Sequence, residues 1–151
     1  MGPQSARADE CTATRPDARR FENWETNYAA KIGLGVAVDY ALSWGLDNIG
    51  ARVAKLAETL RATLSDIPGV EVRDLGREKC GIVTFTVEGH SAGDVHRQLA
   101  ERKINVSTST VGSTRLDMEE RGLREVVRAS VHYYNSENEV ERFGEAIYEI
   151  L

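Results

Sequence analysis

The spacing of apolar residues changes along this chain, and each change marks an element. Ala29, Ile32, Val36, Tyr40 and Trp44 recur at helical spacing. They predict a helix over 27–44, with Asn27 as its N-cap and Gly45 as its stop. Ile49, Val53, Leu56, Leu60 and Leu64 form a second stripe, ending before a Pro68-Gly69 turn. Asp47 is the expected cap of this second helix, and Arg52, Lys55 and Glu58 fall on its wet side. The period then drops to two. Val70 to Val72 predicts a short strand, and a charged turn from Asp74 to Lys79 follows. Val83, Phe85 and Val87 alternate with Ile82, Thr84 and Thr86, the strongest strand signal in the chain. Gly89 breaks it.

Ser91 with Asp94 resembles a capping box opening a helix to about Arg102, with Val95 and Leu99 turned inward. A short strand is expected over 104–107. The polar stretch 108–123, with Gly112 and Gly122, is too long for a simple connection and reads as a functional or mobile loop. A strand through Arg128 follows. Ser136 with Glu139 then forms a second capping box, and Val140, Phe143, Ile147 and Ile150 line a final helix. The order is helix, helix, strand, strand, helix, strand, strand, helix. It predicts an α+β two-layer sandwich, with a small, mostly antiparallel sheet and helices packed on one face. Residues 1–18 are polar and aperiodic, with Pro3 and Pro16, and read as a flexible leader. The domain runs from 19 to 151. The 27–44 helix has few polar positions, chiefly Lys31 and Asp39, so it calls for cover from a missing domain or a second subunit.

Composition narrows the possibilities. At 151 residues the chain is one domain with a tail. Its net charge of −5 and scattered basic residues exclude a nucleic-acid stripe. No apolar run approaches the roughly 20 residues of a membrane span, and without an apolar stretch near the start no secretory signal is expected. Two cysteines are too few for a disulfide scaffold. Cys80 reads as a small, buried or half-buried residue opening a strand, and Cys11 as a free thiol in the leader. A reduced, cytoplasmic protein is expected. His90 and His96 read as surface residues, and no ligand spacing suggests a metal.

The candidate chemistry is Arg128. In the run Arg-Ala-Ser-Val-His-Tyr-Tyr-Asn, from Arg128 to Asn135, Val127, Ala129 and Val131 share one strand face. Val126, Arg128 and Ser130 share the other. An arginine there belongs on a sheet face that opens to a cleft or partner, and its planar fork suits a carboxylate or phosphate. His132 is expected near the strand end, and Tyr133 and Tyr134 as packing residues with one hydroxyl in solvent. Asn135-Ser136 reads as a helix start. Gly33-x-Gly35 is not a nucleotide fingerprint, because no strand precedes it. From the residues alone, a stand-alone dimerisation or small-carboxylate-binding module stays open.

Two stretches add a family. Arg19-Arg20-Phe21-Glu22, followed by Asn27 and then Ile32-Gly33-Leu34-Gly35-Val36-Ala37-Val38-Asp39-Tyr40, resembles the segment leading into the Gly-rich helix of class V aminotransferase-fold enzymes. The Arg128–Asn135 run, with Ser136 and Glu139, resembles the ending of the same family, which includes cysteine desulfurases. The resemblance covers about 19–151 and implies the small C-terminal domain of fold-type I enzymes dependent on pyridoxal 5′-phosphate. It implies that Arg128 clamps the α-carboxylate of an amino-acid substrate. The family's Gly-Thr-Pro, whose threonine reaches the cofactor phosphate of the neighbouring subunit, falls here on Trp24, Glu25 and Thr26. Glu25 would repel a phosphate, which leaves Thr26 as the candidate for that contact. The segment from Ser107 to Asp117 has hydroxyls where desulfurases carry a nucleophilic cysteine, so desulfurase chemistry is not expected. The Schiff-base lysine belongs to a large domain that would precede Arg19, and Lys31, Lys55, Lys79 and Lys103 do not resemble its motif. No catalytic residue, and no bound cofactor, is expected in this chain alone. The expected partners are an amino-acid substrate and either the missing large domain or a homodimer partner.

Overall fold

The alternating stretch around Phe85 becomes an inner strand of a four-stranded sheet whose neighbouring strands all run antiparallel. The structure is a computed structural model that describes residues 15–22 and 25–151. Most of the expected leader, including Cys11, lies outside the described residues, as does Trp24. The described residues divide after Asp39 into two compact units, the second being Tyr40–Leu151.

In the first unit, Ala18–Phe21 forms one 3-10 turn, capped where Asp17 Oδ1 accepts from Arg19 N at 3.0 Å. Helix α1 (Tyr28–Trp44) starts as expected, with Ala30 N donating to Asn27 Oδ1 at 2.9 Å. None of its residues is buried.

Helix α2 (Leu46–Ser65) opens the packed part of the second unit. Its N-cap is Gly45, at φ 83°, and not the expected Asp47. The sharp turn out of α1 needs a left-handed residue, which glycine adopts without a Cβ penalty. Asp47 lies in the first turn, where its charge favours the helix dipole. Strands β1 (Val70–Val72) and β2 (Ile82–Val87), joined by the charged turn, pair as an antiparallel hairpin. Helix α3 (Ala92–Glu101), capped by Ser91, leads to strand β3 (Ser107–Thr110). A short helix α4 (Arg115–Glu120), strand β4 (Glu125–Ser130) and helix α5 (Glu137–Tyr148) complete the chain. The sheet order is β1-β2-β4-β3.

Helices α2, α3 and α5 bury one face of the sheet. Leu56, Leu60 and Leu64 of α2 meet Val83 and Phe85 of β2, Val127 of β4, Val95 and Leu99 of α3, and Phe143 and Ile147 of α5. Phe85 and Phe143 pack edge to face, their ring centres 6.0 Å apart. Each such side chain contributes about 1.5–3 kcal/mol by leaving water.

Three local expectations are corrected. The strand expected over 104–107 begins instead at Ser107. Ile104 and Val106 pack against the core from the connection before it, because α3 ends in a Schellman motif. There Ile104 N donates to Leu99 O and Lys103 N to Ala100 O, with Lys103 at φ 60°. The expected loop 108–123 holds most of β3 and all of α4. Thr-Ser-Thr on an edge strand gives no apolar alternation, but β-branched residues and ladder bonds to β4 hold it extended. Cys80 is exposed, not buried: it precedes β2, and its carbonyl accepts from Arg61 Nη2 at 2.7 Å.

Candidate functional site

Alternation along β4 sends Val127 and Ala129 into the core and Arg128 to the opposite face. Because β4 is an inner strand, Arg128 has a neighbour on each side, Thr84 of β2 and Ser107 of β3. The side chains of such directly opposed residues share a face. Arg128 is half-buried. Its Nε is fully buried and has no hydrogen-bond partner among the described residues. Leaving such a donor unmatched costs about 1–3 kcal/mol.

The other half-buried arginines nearby are all engaged. Arg61 Nε donates to Asp74 Oδ2 at 2.6 Å. Arg73 Nε donates to Thr86 Oγ1 at 3.0 Å and pairs with Glu71. Arg121 pairs with Asp117 at 2.9 Å and donates to the Arg73 carbonyl. Asp74 gathers three donors: the Thr84 amide at 2.7 Å, the Thr84 hydroxyl at 2.6 Å and Arg61. Burial alone would push its carboxyl up, but these donors outweigh it and hold the group below the usual carboxylate range.

The turn after β4 closes on itself. His132 N donates to Asn135 Oδ1 at 2.8 Å, and Asn135 N to His132 O at 3.0 Å. Ser136 and Glu139 form the expected capping box. The Ser136 amide, the Asn135 side chain and the Ser136 hydroxyl all donate to Glu139 and lower its pKa. Arg52, read from sequence as a wet-side residue, fastens α2 to this turn. Its Nη2 donates to Asn135 O at 2.8 Å and to Glu137 Oε2 at 2.9 Å. Hydrogen bonding from Arg52 brings the Glu137 carboxyl down to about 2. Sequence offered no signal for this clamp, since Arg52 and its partners lie on elements far apart in the chain. His132 is exposed and stacks on Tyr134 at 5.1 Å, with Tyr133 edge-on to both.

A cavity of about 360 Å³ lies among Lys103, Asn105, Ser130, Tyr134, Glu139 and Arg142. A mostly apolar one of about 350 Å³ lies among Tyr40, Trp44, Ile49, Arg52, Tyr133 and Tyr134. Arg128 lines neither. Thr26 is half-buried ahead of α1, beside the exposed Glu25, in the first compact unit, whereas Arg128 belongs to the second. Lys31, Lys55, Lys79 and Lys103 are all exposed. Among the described residues no His, Cys, Asp or Glu cluster suits a metal ion, and no helix is long and apolar enough to cross a membrane.

Comparison with known proteins gives this geometry a setting. The sequence profile of the aminotransferase class-V family matches residues 4–143. A probable cysteine desulfurase of Methanothermobacter thermautotrophicus is 34% identical over 134 residues, which is 87% of this chain and 34% of that protein. The apo structure of a cysteine desulfurase from Thermococcus onnurineus NA1 matches with a TM-score of 0.79 at 30% identity, covering 88% of this chain and 33% of that one. A mutant of the lyase C-DES with glycine covalently linked to its PLP cofactor shares the fold, with a TM-score of 0.69 at 22% identity, covering 87% of this chain and 31% of that one. The chain spans about a third of the length of the relatives it matches.

Proposed function

The chain belongs to the aminotransferase class-V family, and from that premise we propose that it is the small C-terminal part of a PLP-dependent enzyme, in which Arg128 grips the carboxylate of an amino-acid substrate. The observation that carries this reading is the buried, unmatched Nε of Arg128 on the sheet face opposite the core. A carboxylate accepts two parallel N–H bonds from one edge of a guanidinium; Nε is closed to solvent as the side chain stands, so it would join such a pair once the side chain turns outward.

The residues of this chain do not fit covalent attachment of the cofactor. A Schiff-base lysine needs a desolvated setting to lose its proton, and all four lysines are exposed. When bound, pyridoxal 5′-phosphate supplies an electron sink for reactions at the amino-acid carbon. In this reading the lysine and the main phosphate site come from elsewhere in a full-length enzyme, and the isolated chain binds without catalysing. Thr26 keeps the finer role of a contact to the cofactor phosphate of a neighbouring subunit. The segment 107–117 has no cysteine, so no thiolate step is assigned to it. A second reading, a stand-alone dimerisation module, is favoured by the exposed apolar side chains of α1, including Ile32 and Val36.

The test is a titration of acetate and glycine into the chain, followed at the Arg128 Nε–H resonance by ¹⁵N NMR. Saturable shifts that vanish in Arg128→Gln are expected, and shifts unchanged by that substitution would remove the clamp. The cofactor assignment is checked by adding pyridoxal 5′-phosphate and borohydride. Stoichiometric trapping on one lysine would overturn it.

A further inference from the structure

Arg128 sits between two hydroxyl side chains, and the two are not equivalent. Thr84 and Ser107 oppose it from β2 and β3, so the three share one row across the open face. A hydroxyl has a single proton to give. The Thr84 hydroxyl lies 2.6 Å from Asp74 Oδ1, and a carboxylate can only accept, so Thr84 spends its proton there. Asp74 is held in place by the Thr84 amide and by Arg61, so that orientation is fixed. What Thr84 offers the row is oxygen lone pairs, which repel an anion. Ser107 differs on each point. It is exposed, and its hydroxyl makes no hydrogen bond to another described residue. The row is therefore polarised, with an acceptor on the β2 side of Arg128 and a free donor on the β3 side.

Resting on the carboxylate-clamp reading, we propose that Ser107 is the second substrate-binding residue. Its hydroxyl donates to the carboxylate held by Arg128 and draws that carboxylate toward β3, away from Thr84. The ligand class is a small carboxylate with one oxygen on the guanidinium edge and an oxygen within reach of Ser107. Ser109, two residues on along the same face of β3, stands opposite Val126 and one row away. It takes no part.

The same acetate titration decides this on the full 151-residue chain. Ser107→Ala is expected to raise the dissociation constant roughly tenfold, the scale of one hydrogen bond to a charged group. Ser107→Thr, which keeps the hydroxyl, is expected to restore most of the affinity. Ser109→Ala is the control and should leave the dissociation constant within about twofold, since it removes no direct bond. If Ser107→Ala binds like the parent while Arg128→Gln does not bind, the Ser107 assignment fails and the clamp stands. If Ser109→Ala carries the loss instead, the donor is misassigned. If neither the parent nor any variant shows an Arg128-dependent shift, both the clamp and the Ser107 role fall. Retention of the parent's amide spectrum in each variant separates lost binding from lost folding.

Discussion

Phe85 and Thr84 are adjacent on β2 and pair with Val127 and Arg128 on β4, yet they serve opposite faces of one sheet. On the Phe85 face three helices remove apolar side chains from water, and among the described residues no polar or charged residue is buried as a whole. On the Arg128 face polar side chains such as Thr84 and Asp74 bond one another, while the buried Nε of Arg128 finds no partner among the described residues. The first face is made by burial, which is large and indifferent to direction. The second is made by hydrogen bonds, which are small net and depend on where each proton points. A stable sheet needs the first, and the cost of an incomplete group on the second, about 1–3 kcal/mol, is small beside what that burial contributes.

Substitutions can break or sharpen this contrast. The largest effect is expected on the helix-covered face. Phe85→Ala removes a fully buried ring packed against Phe143 and should cost about 3–5 kcal/mol in denaturant unfolding. Asp74→Ala comes next. It strips Thr84 and the largely buried Arg61 of their acceptor and should cost about 3 kcal/mol by the same measurement. A smaller effect is expected from acid. The folded pKa of Glu137, about 2, lies below its ordinary 4.5. The group therefore stabilises fully above about pH 4.5, and its contribution is lost as pH falls toward 2. Glu137→Gln should flatten that part of the stability–pH curve. If the curves superimpose, the Arg52 clamp contributes nothing measurable. The smallest effect is expected at Arg128. Arg128→Met removes the unmatched Nε but leaves an apolar tip where the charged end met solvent; the two effects offset, and stability should change by less than about 1 kcal/mol, in the favourable direction. A loss of several kcal/mol would show that the arginine holds the sheet together, and the contrast between the faces would collapse.

The helix-covered face was legible in the sequence because apolar spacing states it outright: the α2 stripe, the β2 alternation and the α5 stripe all reappear as core. Arg128 was legible for the same reason, as a charged residue set between the apolar Val127 and Ala129 in the middle of a strand. Its surroundings were not. Ser107 belongs to a strand that is polar on both faces, which leaves no period to detect. The Asp74–Arg61 bond joins a turn to the preceding helix, and the Arg52 clamp joins α2 to a turn near the other end of the chain. Such pairings are chosen by the folded geometry and leave no local mark. Gly45 in place of Asp47 as a cap shows the same limit at short range, since backbone shape there outweighs capping preference.

The sheet order bears on when the anion seat comes into being. β1 and β2 join through a local hairpin, but β4 must find β2 across α3, β3 and α4 before Arg128 gains Thr84 as a neighbour. Contacts between distant parts of a chain form late, because the closure entropy comes before the reward. Arg128, Thr84 and Ser107 thus meet only when the whole sheet has closed. The seat has no local precursor, and among its members the inner-strand amide of Arg128 should exchange with solvent more slowly than that of Ser107 on the edge strand.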